Sequence, residues 1–397
     1  MKSSYKKLGN YITFIDIRAA SHESNLDLDS IKGISSISKE FIKTKANLIG
    51  VLADNYKVVE QNSFAYNPNT ARMGDRIPIA LNKFDFPILV SSIYPTFRID
   101  KEDQLLPEYL MMWFKRSEFD RYARYMSHGS AREVFDVEEM NELLVPIPSI
   151  TKQREIVKEY NTIQNRIALN QKLIQKLEET AQAIYREWFV DEIDTENLPE
   201  GWKLKKLSDF CDVKGGKRLP KGEELNNLKN GNPYIKVADM TKDKFIVLNN
   251  SFDFVSYEIQ KSISRYIVNT GDIIISIVGT IGLVNIIDDS LLNANLTENC
   301  YRLTNFKDVN KDFLYYYLVS PIGKKEIEIR TVGGVQAKLP MYNVQSLPII
   351  LPTDELMLKF ESAILPLNDL QSAISKEIHK LNELKELLLA KLATIEN

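Results

Sequence analysis

The feature that most constrains this chain is that it repeats itself. Displaced by 204 residues, its halves align without a gap over about ninety positions, and a repeat of that kind governs the whole fold. Phe97-Arg98 meets Tyr301-Arg302, Tyr109-Leu110 meets Phe313-Leu314, and Gly129 meets Gly333. Leu143 meets Leu347, and Pro148 meets Pro352. Near the two starts the register shifts by a few residues, so that Lys7-Leu8 and Tyr11 match Lys206-Leu207 and Phe210. Identities are sparse, but the substitutions keep the chemistry and the order is unbroken. Duplication explains this better than coincidence between two helical hairpins. Two duplicated halves in one chain behave like a fused homodimer, for which a pseudo-twofold arrangement is favoured.

Each half follows one plan, and the fold class expected is α+β. A strand-rich region comes first. In the second half YIKVADM and GDIIISIVGTIGLVNII carry β-branched runs bounded by glycines, with weaker equivalents in YKVVEQNSFAYN and FPILVSSIYPTFRI. Short helical patterns follow, LLPEYLMMWFKRSEFDRYARYM in one half and VNKDFLYYYLVSPIGKKEIEI in the other. A proline-punctuated strand, LLVPIPS or LPIILPT, then leads into a long helix. The expected boundaries are a globular region at 1–148, a helix at 149–190, an acidic linker at 191–201, a second globular region at 202–352 and a terminal helix at 353–397.

The first long helix can run from about Thr151, a plausible N-cap, to Phe189 with no Gly or Pro inside it. Thr353 followed by Asp354 and Glu355 opens the second, the acids complementing the helix N-terminus. Apolar positions Ile163, Ile167, Ile174, Leu177, Ala181 and Ile184 have the alternating three-and-four spacing of a helix pair. The matching stripe is Leu367, Ile374, Ile378, Leu381, Leu388 and Leu392; it departs from strict heptads at Gln371 and Lys385, and Pro366 should interrupt the helix or restart it. A rod of about 39 residues would be roughly 55–60 Å long, and one apolar stripe on such a rod requires a partner. The two helices are therefore expected to form an antiparallel coiled coil separating two globular heads.

Composition narrows the function class. The chain of 397 residues is 44% hydrophobic and 26% charged, which is ordinary globular composition. Two cysteines, Cys211 and Cys300, and three histidines cannot make a disulfide framework or a four-ligand zinc site. MKSSYKKLGNYITF holds no apolar segment of signal-peptide length, and Ile273 to Ile287 is polar-interrupted and too short to span a membrane, so a cytoplasmic location is expected. Catalytic motifs fail one after another. Lys214-Gly215-Gly216-Lys217-Arg218 lacks the spacing of a phosphate-binding loop, and neither G-x-S-x-G nor H-E-x-x-H occurs. Asn67-Pro68-Asn69-Thr70 lacks the second proline and the aromatic of an amino-methyltransferase motif, and reads as a surface turn. Asp253, Glu258 and Lys261 are too loosely spaced for a nuclease cluster. No catalytic, cofactor or metal-binding residue is assigned.

What remains is the placement of charge. Net charge is −3, yet residues 1–148 carry 19 basic against 20 acidic side chains and residues 199–345 carry 20 against 17, so the acidic excess lies in the helices and linker. A DNA-binding head needs only a local basic face. In the second head the run Lys203, Lys205, Lys206, Lys214, Lys217, Arg218 and Lys221 is one candidate, its two glycines permitting close backbone approach, with a solvated loop as the alternative. Lys236, Gln336 and Lys338 are further candidates. In the first head Arg116, Arg121, Arg124 and Arg132 surround Tyr122, Tyr125 and His128, with Arg72 and Arg76 upstream. Arg121, Arg124 and His128 recur at helical spacing and should share one face. Arginine is the commonest reader of guanine edges, and glutamine can read adenine.

These residues together bring a family into view. LPEGWKLKKLSDFCDVKGGKRLPKG, YIKVADM, GDIIISIVGTIGLVNII, GGVQAKLPMYNVQSLPIILP and VPIPSITKQREIV, in that setting, resemble the specificity subunit of type I restriction–modification enzymes over essentially the whole chain. The departures are Ser149, where a second proline is usual, and Met357, where a glutamine would stand. The resemblance implies a non-catalytic reader of double-stranded DNA. The globular regions would be two target-recognition domains, each gripping half of a split, asymmetric site, with the helices setting the unread spacer. Two methyltransferase subunits using S-adenosylmethionine would dock on the helices, joined by restriction subunits driven by ATP and magnesium. An adaptor joining two proteins without DNA, or a methyltransferase or nuclease in its own right, are the competing classes.

Overall fold

The computed structural model describes residues 5–23, 26–69, 76–127, 133–191, 193–194, 196–228, 231–334 and 336–394. The chain divides into two compact units, Met1–Arg166 with Asn382–Asn397, and Ile167–Leu381. Each unit holds a sheet with helices packed against it, antiparallel in the first unit and mixed in the second, so the α+β class expected from the sequence is what the chain adopts.

In the first unit the main sheet runs Ile12–Ile15, Thr96–Ile99, Phe64–Tyr66, Ile79–Leu81; in the second it runs Asp212–Gly215, Cys300–Thr304, Ile273–Ser276, Val284–Ile287, with Phe245–Ile246 added at the far edge. The run GDIIISIVGTIGLVNII forms two adjacent strands buried at every position, which is why it lacks polar alternation. Gly279 (φ 76°) and Gly282 (φ 82°) in the connecting turn take a left-handed backbone that side chains disfavour.

The duplication extends to individual backbone bonds. Tyr5–Lys7 pairs antiparallel with Leu144–Pro146, and Lys203–Lys206 pairs antiparallel with Pro348–Leu351. The amide of Leu8 donates to Leu143 O at 2.8 Å, and that of Leu207 donates to Leu347 O at 2.9 Å. Helices Pro107–Phe114, Ser117–Tyr125 and Val137–Glu142 recur as Lys311–Val319, Pro321–Arg330 and Met341–Gln345.

The long helices are Ile150–Phe189 and Asp354–Lys391. The cap of the first stands two residues earlier than expected: Ser149, not Thr151, accepts the amide of Lys152 (3.4 Å). Thr353 caps the second as expected, accepting from Leu356 at 3.4 Å. Pro366 does not interrupt that helix. Proline removes one backbone bond, but Pro366 lies on the exposed side while Ile364 and Asn368 on either side of it are buried, so packing carries the helix through.

Each unit takes a piece of both long helices. In the first, Ile156, Tyr160, Leu389 and Leu392 join a core centred on Phe64 stacked against Phe97 (4.8 Å). In the second, Phe189 lies 5.0 Å from the rings of both Phe313 and Phe360, and Tyr185 packs beside them. There the two helices run antiparallel, with Tyr185 against Phe360 and Glu178 accepting from Gln371 (3.2 Å). Of the expected stripe, Ile167, Ala181, Ile374 and Leu392 are buried. Ile163, Ile174, Leu177, Ile184, Leu367, Ile378, Leu381 and Leu388 are half-buried. Gln371 does not leave the stripe but sits in it, 1% exposed, with Asn170 buried likewise.

Candidate nucleic-acid interface

In the second unit the antiparallel registers Gly215↔Tyr301 and Ser276↔Cys300 bring three strand ends to one end of the main sheet. The chain leaves this end through the loop after Gly215, the segment 297–299 and the turn after Ser276. A fourth segment joins them: Leu339 donates to Ile277 O at 3.1 Å, and Lys338 bridges Val278. Lys214, Lys217 and Arg218 on the first of these segments, and Gln336 and Lys338 on the fourth, dispersed over more than a hundred positions of sequence, thus arrive at one sheet end. Lys236 comes to the same end, because Thr297 donates to Ile235 O at 3.0 Å. Lys203, Lys205 and Lys206 do not: they lie on a separate two-stranded sheet, so the basic run is two features rather than one.

The side chains differ in what they are free to do. Lys217 is exposed, its Nζ 5.9 Å from the centroid of Tyr266. Lys221 is exposed and has no ion-pair partner among the described residues. Lys214 pairs with Asp212 (3.2 Å) on its own strand. Gln336 and Lys338 are exposed on their loop. Lys236 is partly buried, its side chain 31% exposed, and bonded to Asp253. Gly216 also has a different role from the one its sequence suggests. A Cβ there would fall 1.9 Å from the carbonyl oxygen of Thr297, so the close approach it permits is to its own chain.

Arg218 is 80% exposed and donates from Nε to Glu298 Oε1 at 2.7 Å. Partial burial pushes the Glu298 carboxyl up, but the bond from Arg218, with further bonds from its own backbone and Thr297, outweighs this and holds it below the usual carboxylate range. Glu298 and Tyr266 were not among the sequence candidates. Glu298 stands 80 residues from Arg218, and nothing local marks it.

The first unit repeats the arrangement of segments. Phe135 donates to Pro68 O at 2.9 Å, and Val134 bridges Asn69, as Leu339 and Lys338 do 204 positions later. Of its candidates Arg72, His128 and Arg132 lie outside the described residues. Arg76 is exposed. Arg121 and Arg124 are exposed and paired with Glu118 (3.4 Å) and Glu133 (3.2 Å). The helix bearing them ends at Tyr125. Arg116 is 6% exposed, its guanidinium stacked 4.3 Å above Trp113, and it is part of the core rather than of a binding face.

Residues 199–397 match the model of the family described as type I restriction modification DNA specificity domain. The chain belongs to this family. Among curated relatives of the specificity subunits, that of the type I restriction enzyme MjaIX of Methanocaldococcus jannaschii is 25% identical, the match covering 73% of this chain and 69% of the relative. The HindI specificity subunit of Haemophilus influenzae is 21% identical, over 72% of this chain and 77% of the relative. The crystal structure of a type I restriction–modification S subunit from M. genitalium aligns with a TM-score of 0.55 at 16% identity, covering 98% of this chain and 95% of that one, and shares the fold. Among the described residues of this specificity-family chain, no helix is long and apolar enough to cross a membrane. No cluster of His, Cys, Asp and Glu that could hold a metal occurs among them either.

Proposed function

We propose that this chain is the DNA-reading subunit of a type I restriction–modification complex. Each globular region reads one half of a split, asymmetric site, and the long helices set the unread spacer and dock two methyltransferase subunits. S-adenosylmethionine, ATP and magnesium belong to the methyltransferase and restriction/translocase partners, and the chain itself supplies recognition rather than chemistry. The observation that carries this reading is the recurrence, in both units, of the same loop-to-loop junction, with exposed cations gathered at that sheet end in the second unit. Two similar heads of different sequence suit a bipartite site whose halves differ.

Exchange of residues 1–148 for the corresponding head of another family member tests it. The expected result is that one half of the methylated site changes and the other stays as it was, read by mapping methylated positions in the DNA of cells carrying each chain. A change in both halves, or in neither, contradicts the modular reading. Association with duplex DNA should also fall steeply with salt, which a protein adaptor without DNA would not show.

The exposed lysines of the second unit give a narrower expectation. Lys217 and Lys221, unencumbered by carboxylates, are placed to neutralise phosphates. The double substitution Lys217→Ala with Lys221→Ala should weaken binding about equally for all sequences and flatten the salt slope by roughly two units. Titration of one duplex at several salt concentrations measures it, and an unchanged slope would return this loop to ordinary solvated surface.

A further inference from the structure

We infer that Arg218 reads a guanine in the half-site of the second unit, and that Glu298 is the positioning residue that aims it. This rests on the DNA-reading function proposed above. The guanidinium uses its Nε edge to hold Glu298 (2.7 Å). Its terminal pair of nitrogens makes no hydrogen bond among the described residues, and that pair is the fork that matches N7 and O6 of guanine in the major groove.

The base beneath Arg218 is fixed. Gly216 donates to Cys300 O at 3.1 Å, Lys217 donates to Leu296 O at 2.8 Å, and the Tyr234 hydroxyl donates to Lys217 O at 2.8 Å. Glu298 is fixed in turn, because the Thr297 hydroxyl donates to its second carboxylate oxygen at 3.1 Å. Two segments far apart in sequence are thus locked together, and each presents one member of the pair. An arginine held this way loses less rotamer freedom on binding than a free one, which favours precise readout.

A phosphate-binding role fits poorly. The Glu298 carboxylate would repel the same phosphate that Arg218 attracted, while Lys217 and Lys221 nearby carry no such burden. A role in stability fits no better, since exposed ion pairs contribute little. The contrast with Lys214 is informative: its partner Asp212 is two positions away on the same strand, a pairing that local spacing alone produces.

The test is selection from a randomised duplex pool by the full chain and by its variants Arg218→Ala, Arg218→Lys, Glu298→Ala and Glu298→Gln, with salt slopes measured for each. Thermal melting checks that the variants remain folded. Arg218→Ala should lower the preference for one G·C pair about ten- to a hundredfold and leave the other positions unchanged. Arg218→Lys should not restore it, because an ammonium has no fork. Glu298→Ala should erode preference at the same position without weakening non-specific binding, whereas a merely structural lesion would lower both. Glu298→Gln keeps an acceptor for Nε and should retain more preference than Glu298→Ala. If Arg218→Ala weakened all sequences alike and flattened the salt slope by about one unit, Arg218 would be a phosphate contact; the inference would fall and the DNA-reading function would stand. Unchanged selection in Arg218→Ala and Glu298→Ala would also overturn it. If the unaltered chain selected no motif, both would fall.

Discussion

Replacing Lys244 with methionine should destabilise the second unit by about 3–5 kcal/mol, the range found when one partner of a buried ion pair is removed. Lys244 is 1% exposed at its side chain, and its Nζ lies 2.8 Å from Asp312 Oδ1. The ammonium also donates to the Tyr316 hydroxyl (3.0 Å) and to Asn368 Oδ1 (2.5 Å), and sits 4.3 Å from the Tyr316 ring centroid. Three elements meet on this one charge: the strand Phe245–Ile246 that follows it, the helix Lys311–Val319 and the second long helix. Without the ammonium, Asp312 is left as a nearly buried carboxylate facing apolar and aromatic groups. The loss should come chiefly from that stranded charge rather than from the lost volume, since methionine fills a similar space. Adding Asp312→Asn should therefore recover a large part of the loss, and the double-mutant cycle gives the coupling directly. Urea unfolding followed by tryptophan fluorescence measures it, because Trp188 and Trp202 both pack against the second unit's core. Equal losses in the single and double variants would show that shape, not charge, holds the junction.

Much of this architecture is legible in the sequence because duplication preserves register. The match of Lys7-Leu8 and Tyr11 to Lys206-Leu207 and Phe210 foretells two short turns whose first amides bond to Leu143 and Leu347 in the same way. The long helices are legible from their spacing and from the absence of breakers. What spacing cannot supply is the identity of the partner. The periodic reading prefers Ile184, yet Tyr185 is the more deeply buried neighbour, because the second unit's core presents Phe313 and Phe360 to that side of the helix. Gln371 looks like a break in an apolar stripe, but Glu178 gives it a hydrogen-bond partner and so a reason to be inside. Pro366 looks like a stop, but a proline on an exposed face costs less than unpacking the residues around it.

The candidate interface is legible in kind and less so in detail. Exposed cations near glycines are visible in the run from Lys214 to Lys221, and four of them do lie on or after the strand that reaches the sheet end. Their surroundings depend on long-range pairings. Glu298 beside Arg218, Asp253 on Lys236 and Trp113 under Arg116 are each set by tertiary contact or local packing, and each changes what the cation can do. Charge counts treat these cations alike; their neighbours separate an exposed pair, a partly buried pair and a core residue.

Under the proposed function, inserting four residues beside Gln171 should lengthen the unread spacer while leaving both half-sites unchanged. Four residues add roughly 6 Å of helical rise, close to two base-pair steps of 3.4 Å, and a little over one turn. Gln171 is exposed, whereas Ile167 and Asn170 before it are buried and Ile174 after it is half-buried, so the insertion enters on the solvent side of a continuous stripe. Because the stripe alternates threes and fours, a four-residue slip presents another inward position about 40° from the original, and the helix pair can re-form one step displaced. Two residues behave differently. They rotate everything beyond them by about 200°, turning Ala181, Tyr185 and Phe189 away from Phe313 and Phe360, and a core of that size cannot be exposed without loss of folding. The pair of variants thus separates length from phase. Mapping methylated positions in cells carrying each variant decides the matter, with soluble yield as the control for folding. A folded four-residue variant with an unchanged spacer would mean that the long helices do not set the distance, even if both heads read DNA as proposed.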